Sequence, residues 1–194
     1  MKRLLLLLLL ITSTSVFAQK EVTKFLGIPI DGYKSEMIQK LRAKGYKYNS
    51  TTELLEGEFN GRDVEIAVVT NNNKVYRIAV FDKNYVSETD IKINFNRLCN
   101  QFEGNERYFS IGNQSIQEKE DISYEMLVNN KRYQATYYQK LEKEVDYSDT
   151  DNALSAMENI ENKRVWFMID ERYGRYGILM YYDNAYNQAN GNDL

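Results

Sequence analysis

Carboxylates, side-chain amides and aromatic rings are the groups whose number and spacing invite chemistry in this sequence, which has no histidine, one cysteine and one proline. Without imidazole, Ser-His-Asp and Cys-His nucleophile activation and histidine-ligated zinc are excluded. The lone Cys99 excludes an internal disulfide framework and a four-thiolate zinc site. Carboxylate chemistry remains. Glu56 and Glu58 would share one face of a strand, as would Asp63 and Glu65 on the next. A glycosidase needs two such acids about 5 to 9.5 Å apart in a cleft. Acids alternating with apolar residues are more commonly the solvated face of a sheet, and that reading is preferred here. The run Asp146-Tyr147-Ser148-Asp149-Thr150-Asp151-Asn152 is rich in hard oxygen ligands. A calcium loop, however, asks for glycine at its sixth position and a bidentate Glu at its twelfth. Counted from Asp146, those positions hold Asp151 and Met157, so a solvated acidic loop is expected. No catalytic residue, metal ligand or cofactor is assigned. Asn49-Ser50-Thr51 and Asn113-Gln114-Ser115 match a glycosylation acceptor pattern.

The aromatic rings carry more. Tyrosine alone occurs sixteen times, which points to a folded, β-rich domain. In the last two strand-like segments one alternation places Val165, Phe167 and Ile169 with Tyr176, Ile178, Met180 and Tyr182. The other places Trp166 and Met168 with Leu179 and Tyr181, with Tyr138 on an adjacent strand. A sheet covered by helices on one face is polar on the other, yet here both faces are apolar or aromatic. Either the second face packs against the rest of the chain, or Tyr138, Trp166 and Tyr181 form an exposed platform for a partner, since exposed apolar and Trp/Tyr clusters mark interaction sites.

The elements that must position these rings read as α+β: two tandem helix-plus-antiparallel-sheet units, helices packed on one side of the sheet or sheets. The first unit, 19–84, begins with an extended run from Phe25 to Ile30. A helix follows, with Ser35 as N-cap, Met37, Ile38 and Leu41 on one stripe, and Gly45 at its C-terminal end. A three-stranded meander comes next. Leu54–Phe59 turns at Asn60-Gly61, a type I′ signal, into Val64, Ile66 and Val68, then into Tyr76, Ile78 and Val80. The second unit, 85–194, opens with Ser87-Glu88-Thr89-Asp90, which resembles a capping box. Ile91, Phe95, Leu98 and Phe102 then mark a helix face, with Cys99 beside it as a buried small hydrophobe. Strands are expected over Arg107–Ile111, Ser123–Val128, Arg132–Gln139, Arg164–Glu171 and Arg175–Tyr182. An acidic insertion, 142–163, separates two of these strands, and Leu154, Met157 and Ile160 give it one short helix. Ser35-Glu36 and Ser87-Glu88 open the two helices alike, so a duplicated helix-plus-meander is read.

Lys2 and Arg3, the apolar run Leu4–Ile11 and Val16-Phe17-Ala18 read as a secretory signal peptide over 1–18. The apolar run is too short to span a bilayer, which takes about 20 residues. The formal net charge of the chain is −3. With no basic run interleaved with aromatics, this gives nucleic acid no footing. An exported protein, periplasmic or extracellular, with no membrane span after signal cleavage is expected.

Gly27-Ile28-Pro29-Ile30-Asp31-Gly32, running into Ser35-Glu36-Met37-Ile38 and Leu41, resembles the start of uncharacterised exported proteins of Bacteroides-type bacteria. It is also similar, over some twenty residues, to the opening of helix-plus-meander modules such as the β-lactamase inhibitory protein and the SmpA/OmlA-type outer-membrane-assembly lipoproteins. The chain lacks the cysteine pairs of the former and the lipid-accepting cysteine of the latter, so no target and no membrane attachment carry over. The resemblance implies a small binding or scaffolding module. The function expected is non-catalytic binding of a protein or glycan. A secreted carboxylate-dependent hydrolase and an envelope structural or assembly component are the alternatives.

Overall fold

The computed structural model describes residues 21–142 and 150–189. Segment 1–18, read from sequence as a signal peptide, and the part of the oxygen-rich run lying within 143–149 fall outside the described residues. A two-stranded ribbon, β1 (Lys24–Phe25) and β2 (Ile28–Pro29), precedes helix α1 (Lys34–Ala43). Strands β3 (Lys47–Asn49), β4 (Leu54–Phe59), β5 (Arg62–Asn71) and β6 (Lys74–Asp82) follow in an antiparallel meander. Helix α2 (Glu88–Glu103) then leads through β7 (Tyr108–Phe109) and helix α3 (Ile122–Val128) to β8 (Gln134–Gln139). Helix α4 (Thr150–Glu161) precedes the hairpin β9 (Arg164–Arg172) and β10 (Arg175–Asp183), and Ala185–Asn187 forms a single 3₁₀ turn.

All eight long-range strands belong to one antiparallel sheet in the order β3-β4-β5-β6-β10-β9-β8-β7. A helix followed by four strands therefore occurs twice, and the two halves meet along their last strands, β6 and β10. The seam registers Tyr181 opposite Ala79 and Asp183 opposite Arg77. Alternation does the rest. Val64, Ile66 and Val68 on β5, and Val165, Phe167 and Ile169 on β9, turn to the helices and are buried. Met37 and Leu41 of α1 join the same core, as do Ile91, Phe95, Leu98 and Phe102 of α2 and Ile122 of α3. Phe167 sits at its centre, 4.9 Å from the ring of Phe95 and 5.8 Å from that of Phe102, while Tyr137 stacks on Phe102 at 4.6 Å. Among the described residues, no helix is long and apolar enough to cross a membrane.

Several local expectations are corrected. The first helix has Tyr33, not Ser35, at its N-cap, and no side chain caps it. The first meander has four strands, because short, polar Lys47–Asn49 pairs with β4. The run from Phe25 to Ile30 is a tight ribbon turning at Leu26-Gly27 rather than one strand. Arg107–Ile111 shrinks to a two-residue strand before the chain turns at Gly112. Ser123–Val128 is helical: Asp121 accepts a hydrogen bond from Tyr124 N at 2.8 Å, and Ile122 and Met126, four apart, both meet the core. An N-cap and an i, i+4 pair outweigh strand propensity over so short a run. In α4 the buried position is Ala156, whereas Leu154 and Met157 are exposed. Asn60-Gly61 takes positive φ at both positions, as a type I′ turn needs. Ser87 caps α2 by accepting from Asp90 N. Cys99 is fully buried.

Two outcomes follow. Phe167→Ala empties the centre of the core and should lower stability by about 3 to 5 kcal/mol, read as a fall in the urea midpoint. Burial pushes the Cys99 thiol up to about 11, so a disulfide reagent at pH 8 should leave the folded protein unmodified and titrate one thiol only when urea unfolds it.

Candidate binding surface

The face of the sheet turned away from α1, α2 and α3 carries the rings singled out by sequence. On β9 it presents Arg164, Trp166, Met168 and Asp170; on β10 Gly177, Leu179, Tyr181 and Asp183; on β6 Arg77, Ala79 and Phe81. Trp166 and Tyr181 face each other across the β9–β10 ladder and stack at 4.3 Å with their planes 27° apart. Tyr138 stands one rung along, opposite Arg164, and stacks on Phe109 at 5.6 Å instead. The structure thus forms two adjoining aromatic pairs rather than one cluster of three. Tyr138, Trp166 and Tyr181 are all half-buried. The first half of the chain does not cover them, because it extends the same sheet sideways; α4 lies against β8.

What holds the rings is a buried carboxylate. Asp183, 2% exposed at its side chain, accepts from Arg77 Nε at 2.6 Å and Nη2 at 3.0 Å, from Arg164 Nη2 at 3.0 Å and from Trp166 Nε1 at 2.9 Å. The bidentate Arg77 geometry is the strong form of such a pair. Arg77 is fixed over the rings as a result, its guanidinium carbon 4.8 Å from the Tyr181 centroid and 5.5 Å from that of Trp166, while Arg164 lies 6.0 Å from Trp166. These distances are within cation–π range. Burial raises the Asp183 pKa, but the hydrogen bonds from Arg77, Trp166 and Arg164 and the charge of Arg77 outweigh it, leaving the carboxyl below its ordinary value.

A second ring locks the other end of the same strands. Tyr85 lies flat on Gly177, where a Cβ would come within 2.9 Å of the phenol ring. Its hydroxyl donates to Asp170 Oδ2 at 2.5 Å, Arg172 donates to the same oxygen at 2.9 Å, and the Arg172 guanidinium sits 5.0 Å from the ring. Glycine in this strand makes room for an aromatic side chain on the open face.

The paired carboxylates fall on the opposite half of this face. Glu56 is in register with Glu65, and Glu58 with Asp63. Lys83 donates to Glu56 at 2.6 Å and holds its pKa below the usual value through that hydrogen bond and its charge. The surface is therefore polarised, acidic over β4 and β5 and aromatic with guanidinium over β6, β10 and β9. Among the described residues, no group of three or more acids and thiols is placed to hold a metal ion.

Arg77, Arg164 and Asp183, which order the platform, were not singled out by sequence. Two of them were legible there: Arg164 precedes Trp166 by two, and Asp183 follows Tyr181 by two, so both share its face. Arg77 could be added only once β6 was known to pair with β10. Comparison of the chain with models of known protein families, with curated proteins and with solved structures finds no match.

Asp183 supplies the prediction. With its folded pKa depressed, its contribution to stability is present above the unfolded value near 4 and is lost as pH falls through the folded one. Wild type should exceed Asp183→Asn in urea stability at pH 7, and the gap should narrow steadily below about pH 4. A constant gap from pH 7 to pH 2.5 would contradict the assignment.

Proposed function

We propose that this is an exported, non-catalytic binding module whose contact surface is the face of the sheet turned away from α1, α2 and α3, centred on Trp166 and Tyr181 with Tyr138 at its flank. The observation that carries the reading is the Trp166–Tyr181 stack clamped beneath Arg77. Its rings and guanidinium are already ordered, so little rotamer entropy remains to be lost on binding. Trp, Tyr and Arg are also the residues that dominate interface energetics. Size favours a protein partner over a glycan. Eight strands at about 4.8 Å spacing make a face roughly 34 Å wide, enough for the ~800 Å² per partner of a standard protein interface. The polarised surface, acidic on one half and cationic-aromatic on the other, would set the partner's orientation. The signal-like segment 1–18 and the resemblance to exported proteins of Bacteroides-type bacteria support work in the periplasm or outside the cell.

Capture of partners from an envelope extract, with a glycan array alongside, tests the reading. Trp166→Ala combined with Tyr181→Ala should weaken the captured interaction at least tenfold, as expected for hot-spot rings, while Glu56→Gln with Glu58→Gln should leave any activity on the glycans unaffected because there is none to lose. A partner held equally well by the Trp166/Tyr181 double variant would sink the assignment. Turnover of a glycan abolished by the Glu56/Glu58 change would replace it with the hydrolase alternative.

A further inference from the structure

The helix-covered side of the sheet carries a different feature. Between the β1–β2 turn, the C-terminal end of α2 and the ends of β7 and β8 lies a cavity of about 980 Å³, at the upper end of the roughly 300 to 1,000 Å³ usual for small-molecule sites. Phe59, Leu98, Phe102 and Met180 line it, together with two tyrosines, Tyr108 and Tyr182.

The Tyr182 hydroxyl sets this cavity apart. Tyr182 is only 5% exposed. Four other tyrosines among the described residues are also buried, and each has a hydrogen-bond partner. Tyr46 donates to Glu58 O, Tyr133 to Glu120, Tyr137 to Cys99 O and Tyr176 to the Ser123 hydroxyl. The Tyr182 hydroxyl has none among the described residues. No side-chain polar atom sealed from solvent lacks a partner among those residues, so this oxygen is not sealed in the core; it opens into the cavity that the residue lines. Phe25 meets the Tyr182 ring edge-on at 4.9 Å, which fixes the direction of the hydroxyl. Burial, with Tyr108 and Tyr46 nearby, pushes its pKa well above the ordinary value, so it stays a neutral donor. Tyr108 supplies a second donor: its oxygen accepts from Gln139 Nε2 at 3.1 Å, and its own proton has no acceptor among the described residues.

The charged and amide groups around the cavity are engaged or turned away. Lys24 pairs with Glu142, and Lys163 with Glu21. The strand register turns Arg107 and Lys140 to the opposite face of the sheet, with Phe109 and Tyr138. Glu106, an exposed carboxylate among the lining residues, further disfavours an anion. An anion would therefore be buried without a countercharge, at a cost of several kcal/mol. The amides that a sugar would use are already bonded: Asn60 donates to Gln101 at 2.8 Å, and Gln139 brackets Lys24 through its N–H and its carbonyl. What the cavity offers a ligand is apolar wall and phenol donors. A buried hydroxyl left without a partner is costly, and a ligand oxygen that accepts from it removes that cost.

We propose that this cavity binds a neutral, mainly apolar molecule of the ketone or ester class, its carbonyl oxygen accepting from the Tyr182 hydroxyl and its body lying along Phe59 and Phe102. The site uses none of the platform residues and is independent of the reading above. Equilibrium dialysis of the full chain against benzophenone is the test. Two analogues accompany it: diphenylmethane, with the same rings and no oxygen, and 4-benzoylbenzoate, which adds a carboxylate. Saturable binding of one benzophenone per chain is expected, with both analogues at least tenfold weaker, because a site that offers a hydrogen bond rejects a ligand that leaves its donor unpaired. Tyr182→Phe keeps the ring and should weaken benzophenone tenfold or more. Since the hydroxyl has no partner in the free protein, the same change should leave the urea midpoint at or above the wild-type value, which separates a lost ligand contact from a lost fold. Absence of saturable binding, equal retention of either analogue, undiminished binding by Tyr182→Phe, a lowered urea midpoint in that variant, or loss of binding in the Trp166/Tyr181 variant would each overturn the proposal.

Discussion

A buried carboxylate, Asp183, sits where the two halves of this molecule join. Removing Asp183 from water costs several kcal/mol by itself, and the fold offsets that cost with four hydrogen bonds drawn from the two strands that flank β10: Arg77 on β6, and Arg164 and Trp166 on β9. Those bonds cross both sides of β10, so the seam between the halves is tied by charge as well as by its backbone ladder. They also decide the posture of the open face. Arg77 is drawn over Tyr181, Trp166 is oriented through its indole N–H, and the two rings stack as a consequence.

The same corner receives the N-terminal segment. The Thr23 hydroxyl lies against the carbonyls of Asn162 and Asp183, Lys24 is bracketed by Gln139 through both its N–H and its carbonyl, and Asn184 donates to Ile30 O at 2.6 Å. Lys163, almost fully buried, reaches Glu21. The first ten or so described residues are thus stitched to the end of the second half before the chain enters its first helix. Neither helix-plus-meander half could be cut away without exposing these buried polar groups, whose loss of partners is the costly event. The repeat is one of topology, with the two halves sharing one sheet and one core.

Much of this order was legible from alternation and turn chemistry. The i, i+2 pattern of Val64, Ile66 and Val68 and of Val165, Phe167 and Ile169 places the core face of β5 and β9, and Asn60-Gly61 places the turn from β4 into β5. The i, i+4, i+7, i+11 stripe of α2 places its buried side. Where two periods compete over seven residues, as in Ile122–Val128, the pattern is ambiguous, and a capping aspartate at 121 settled it. The spacing of Leu154, Met157 and Ile160 pointed to the helix at Thr150–Glu161, but it did not mark the residue that packs, which is Ala156, with Leu154 and Met157 exposed.

Sequence alone therefore determined the chemistry that the chain lacks, the helix-plus-meander order and the faces on which Tyr138, Trp166 and Tyr181 must lie, because these depend on side-chain type and on the local periods of helix and strand. The joining of β6 to β10, the placing of Arg77 against Asp183 and the division of the three rings into two stacks were decided only in three dimensions. Each depends on which distant strands become neighbours. That choice is made by the fit of the whole core, and no local spacing encodes it.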